Sequence, residues 1–200
     1  MSGRATLQET LEAIQAREYQ RAGEVALSGV ATPMRLAGEA IAEMIEAFAQ
    51  PGLGGGEWRD RVVIALDAAV PKLLDGRQAL YANVLFERLL RPRDEPLFKL
   101  DVPIAEDVEA RAAADVAALG PEGAILEHAR RAFEQSTKLL EMVLRVAETW
   151  ASCAADVEKL KDFYPLAEIA ASEMMERATT LRVAKAVFVG DAPRSAVPVH

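Results

Sequence analysis

The stretch EGAILEHARRAFEQSTKLLEMVLRVAETWASCAADVEKLKDF, residues 122–163, decides the fold. It holds no proline and only Gly123 near its start, so no residue forces a turn across about 40 positions. Steps of three and four from Leu126 meet Ala129, Phe133, Ser136, Leu140, Val143, Ala147 and Trp150, an apolar stripe with one polar member. Ile125, Leu139, Leu144 and Ala151 widen that stripe beyond the seam of a two-stranded coil, which points to the interior of a helical bundle. Phe133, Leu140, Val143 and Trp150 are therefore expected either as central core or, where exposed, as an interface. At about 1.5 Å per residue a continuous helix of this length approaches about 60 Å, longer than one domain needs. It must project or break, and the small residues of 151–155 are the expected place for a bend.

The rest of the chain repeats the pattern. Thr6 and Glu9 form a capping box ahead of Leu7, Leu11 and Ile14. Pro33 suits the first turn of a helix in which Ala37, Ile41, Met44, Ile45 and Phe48 share a face. After the glycine-rich run 51–56, Trp58, Val62, Leu66, Ala69 and Leu73 mark another helix, which Pro71 is expected to kink or split, with Asp75 capping the next. Val108, Ala112, Val116 and Leu119 mark a short helix ended by Gly120 and Pro121, and Pro165 opens a last helix through Leu181 to Phe188. No window alternates apolar and polar as a strand would. The expectation is an all-α bundle of six to eight helices around the long helix at 122–163. Residues 1–190 would form one domain, with a subdivision at the proline-rich loop 91–103 as the alternative, and 191–200 a flexible tail.

Composition restricts the functional classes. A net charge of −8 argues against nucleic acid, whose phosphates need clustered Lys and Arg. No apolar run reaches the roughly 18 residues that span a bilayer, and residues 1–20 lack the apolar core of a secretory signal. The lone Cys153 fits a reducing compartment, so the expected location is the cytoplasm.

Chemistry-bearing residues are few. The two histidines are His128 and His200, and His128 has Ala124 and Ile125 where a ferritin-like Glu-x-x-His pair needs its glutamate. His128 stands one position off the apolar register, so it is expected at the surface or its boundary. Glu39, Glu43 and Glu46 share one helix face and could hold a metal through carboxylates alone, although a solvated face produces the same row. Cys153 has no neighbouring base to activate it. No nucleophile elbow, phosphate loop or zinc-protease motif occurs. The residues thus favour a non-enzymatic interaction or assembly protein with a protein partner or a second copy, and no cofactor. Two alternatives are an apolar ligand held among Met142, Met174, Met175, Phe163 and Phe188, and, ranked last, a carboxylate–metal enzyme on Glu39, Glu43 and Glu46.

Overall fold

Helix α1, Thr32–Ala49, begins without a side-chain cap because the chain is already helical before it: a π-helical turn, Leu27–Ala31, feeds into Pro33 in the first turn of α1. The face carrying Met34, Ala37, Ile41 and Met44 is buried, and Gln50 ends the helix. The computed structural model of the protein describes residues 17, 20, 21, 24, 27–50, 55–82, 106–151 and 163–190. The helix expected from Thr6, the run 51–54, the loop 91–103, the expected bend together with Cys153, and the tail 191–200 lie outside the described residues. Among those described there are four α-helices and no strand.

Helix α2, Gly55–Ala82, opens on the last two glycines of the 51–56 run. It departs from the expectation at Pro71, which sits inside a single helix; Asp75 therefore caps nothing. Proline removes the bond to the carbonyl of residue 67. Asp67 and Pro71 both stand on the exposed face, where water can satisfy that carbonyl, while Val62, Leu66, Ala69 and Leu73 are fully buried along the opposite face and hold the helix on its course.

Helix α3, Glu106–Ala151, is two arms meeting at Gly120, whose φ of 71° and ψ of 161° are open only to glycine. A straight helix would hold residues 115 and 128 roughly 20 Å apart at its rise of about 1.5 Å per residue. Asp115 Oδ2 instead lies 3.3 Å from His128 Nε2, so the first arm folds back beside the second. Helix α4, Phe163–Val189, is closed by Gly190 with φ 89°, whose amide donates to the Val187 carbonyl at 3.1 Å.

The four helices pack as a ring: α1 touches α2 and α3, and α4 touches α2 and α3. Trp58 meets Phe48 while Gly76 meets Ala37, so α1 and α2 run antiparallel. Arg59 bonds the carbonyl of Phe188 and Arg77 that of Ala171, so α2 and α4 do too. His128 with Arg177 and Gln135 with Glu173 set the second arm of α3 antiparallel to α4. The breaker-free stretch is therefore not one straight helix to residue 163. All four helices contribute to one core, in which Leu66, Leu73, Leu139, Met174 and Leu181 are buried. One end of the ring is pinned by aromatic rings. Trp58 stands edge-on to Phe48 at 5.2 Å and to Phe188 at 5.6 Å, and its indole N–H donates to the Phe48 carbonyl at 3.2 Å.

Gly120 offers a clean test of backbone strain. Nothing lies within 4 Å of a Cβ added there, so the cost of Gly120→Ala is conformational, and it should lower unfolding free energy by about 1–3 kcal/mol in urea titration. Gly56→Ala, equally open in space but at a helical position, should be neutral or slightly stabilising.

Candidate functional site

The buried face of the second arm of α3 is turned by roughly 50° from the stripe read in the sequence, about half a residue step at 100° per residue. Ala129, Ser136, Val143 and Ala147 are buried as members of both. Ile125, Ala132 and Leu139 are buried, whereas Leu126 and Leu140 are half-buried and Phe133 is 39% exposed. Phe133 is therefore not central core; of the four candidates only Val143 is fully enclosed, and the side chain of Trp150 lies outside the described residues. Small residues meet on this face: a Cβ on Gly38 of α1 would sit 3.9 Å from Ser136 Cβ, in ordinary van der Waals contact.

The same rotation carries His128 inward, to 2% exposure, against the expectation of a surface or boundary position. Arg177 Nη1 lies 3.3 Å from His128 Nδ1, and Asp115 Oδ2 lies 3.3 Å from Nε2. Arginine has only donors, so Nδ1 accepts from Arg177, which leaves the proton of the neutral ring on Nε2, on the side of the Asp115 carboxylate. Burial pushes the imidazole below its ordinary value of 6.5; Arg177 and Arg131 push the same way, against Asp115 and Glu127. Around this triad Arg111 pairs with Glu176 at 2.8 Å and Arg182 with Glu109 at 2.5 Å, tying the first arm to α4. Those outer pairs are largely exposed and are worth about 0–1 kcal/mol each. Gln135 Oε1, Ser136 Oγ and Arg177 Nε are buried without a hydrogen-bond partner. The sequence carried one sign of the triad, a histidine beside the stripe; its partners arrive only through the fold at Gly120 and the docking of α4.

A groove of about 310 Å³ runs between the second arm of α3 and α4, lined by the apolar Leu139, Met142, Ala170 and exposed Ile169 and by the charged Arg131, Lys138, Glu134 and Glu173. Of the methionines and phenylalanines proposed for a ligand, only Met142 lines it. Met174 is in the core, Met175 is half-buried, Phe188 lies at the aromatic end, and the side chain of Phe163 lies outside the described residues. Glu39, Glu43 and Glu46 stand exposed on α1, with Glu39 paired to Arg35, and among the described residues no three His, Cys, Asp or Glu side chains converge as a metal would require. No helix among the described residues is long and apolar enough to cross a membrane.

No protein-family model, curated protein or solved structure matches the chain. The functional reading therefore rests on the geometry alone.

The His128 triad implies a definite pH dependence. Its folded-state value is depressed, so above 6.5 both states are neutral and nothing is lost; as pH falls below 6.5 the unfolded chain takes up the proton first and stability declines. The melting temperature of the protein should drop between pH 7 and pH 5, and His128→Gln, whose amide can accept from Arg177 and donate to Asp115, should flatten that drop. Equal slopes for the two proteins would refute the assignment.

Proposed function

We propose that the chain is a non-enzymatic helical assembly protein whose contact surface is the outer flank of the second arm of α3. The observation that carries this reading is a row of apolar side chains left on that flank: Phe133 at 39% exposure, half-buried Leu140, and Leu144 at 37%. Spacings of seven and four residues keep all three on one side of the helix. A large aromatic side chain between two leucines is the kind of anchor that dominates interface energetics when a partner removes it from water. The lone Cys153 and the net charge of −8 fit a cytoplasmic setting and a partner that is neither nucleic acid nor an anionic membrane. A second reading, an apolar ligand in the α3–α4 groove, is favoured by its apolar lining of Leu139, Met142 and Ile169, although about 310 Å³ is at the small end for such sites.

Light scattering on the eluting protein tests assembly. The wild type should exceed its monomer mass of 21.7 kDa at micromolar concentration. Phe133→Asp with Leu144→Asp should weaken association at least about thirtyfold while leaving helix content unchanged, as expected when interface anchors worth about 2 kcal/mol or more are lost. A wild type that stays monomeric at several hundred micromolar would sink the reading. Native mass spectrometry separates the alternative: a small apolar molecule retained by the wild type and lost in Met142→Trp would favour the groove instead.

A further inference from the structure

We infer that the partner on this flank is a second copy of the chain, packed antiparallel against the second arm of α3 about a twofold axis opposite residues 138 and 139. This rests on the assembly reading above and adds to it the identity and direction of the partner. The flank reads, in order, Arg130, Phe133, Thr137, Leu140, Leu144 and Glu148, all exposed except the half-buried Leu140. A twofold axis across the helix brings residue i of one copy beside the residue of the other whose number, added to i, gives 277 or 278. Phe133 then faces Leu144, Thr137 faces Leu140, and Arg130 faces Glu148, each contact occurring twice as an isologous interface requires.

The charges choose the direction. Within the row the one basic residue, Arg130, stands at the start and the one acidic residue, Glu148, at the end, both exposed; Glu134, Glu141 and Arg145, also exposed, stand beside the row and not in it. A parallel pair would set Arg130 against Arg130 and Glu148 against Glu148, juxtaposing like charges; the antiparallel pair matches opposite charges at both ends. The centre of the flank suits close approach. Thr137 is small, and its hydroxyl already donates to the Phe133 carbonyl at 2.9 Å, so bringing a second helix over it leaves no donor stranded. Mixed charge at the ends around an apolar middle is the arrangement by which helix pairs fix register and orientation.

Charge reversal tests the direction separately from assembly itself. Sedimentation equilibrium on Arg130→Glu and on Glu148→Arg should each show the dimer dissociation constant raised roughly tenfold, because each change creates two like-charge contacts. The double variant, carrying both changes in one chain, should return to within about threefold of the wild type, because both pairs re-form with their signs exchanged. If Phe133→Asp abolishes association but neither single reversal affects it, or if the double variant fails to recover, the antiparallel twofold is wrong while assembly through this flank stands. If association survives Phe133→Asp, or the wild type is monomeric, both fall together.

Discussion

The fold depends on how closely its helices can approach. At Gly76 three of them meet: a Cβ there would lie 3.4 Å from Ala37 Cβ and from Met174 Cε, and 3.5 Å from Met34 Sδ. At Gly38, α1 faces Ser136 of α3 somewhat more loosely, with 3.9 Å between an added Cβ and Ser136 Cβ. Interiors pack at crystal-like density, so a backbone this close dictates what its neighbours present. Alanines and a serine turn inward on α3 beside Ile125, Leu139 and Val143, flexible methionines fill the space around Gly76, and the aromatic rings of Phe48, Trp58, Phe188 and Phe133 stand at an end or on a flank. The aromatic cluster of Phe48, Trp58 and Phe188 occupies one such end, where Arg59 also stacks over the Phe188 ring at 5.1 Å.

This explains which parts of the molecule were legible in the sequence. Helix character, the start of α1 at Pro33, the break at Gly120 and the end of α4 at Gly190 follow from local chemistry, and each is found in the structure. Pro71 misled because propensity counts the lost hydrogen bond but not which side of the helix it faces; on the wet side the penalty is modest, and four buried side chains outweigh it. The rotation of α3 was illegible for a different reason. Ile125 and Leu126, like Leu139 and Leu140, are adjacent and nearly equivalent in hydrophobicity, so periodicity alone does not choose between them. The choice is made by packing against distant helices, as where Ser136 meets Gly38, about a hundred positions earlier.

His128 shows the cost of that choice and its resolution. Turning the helix by half a step carries an imidazole into the interior, where a polar ring without partners would be strongly unfavourable. Asp115 and Arg177 come from the two neighbouring helical pieces to meet its two nitrogens. The triad thereby couples three segments that hydrophobic contact alone would leave free to slide, since a shift of either partner leaves the imidazole unsatisfied.

The ring of helices also has a temporal consequence. Its pairs α1–α2 and α3–α4 are neighbours along the chain as well as in space, and the two arms of α3 meet across the Gly120 turn. These contacts close short loops, which costs little entropy and proceeds quickly. Among the described helices the α1–α3 and α2–α4 faces join more distant parts of the chain, with Gly38 in the first and Gly76 in the second. Folding can thus be pictured as two hairpins forming separately and then docking at a late step governed by how well their smallest residues interlock.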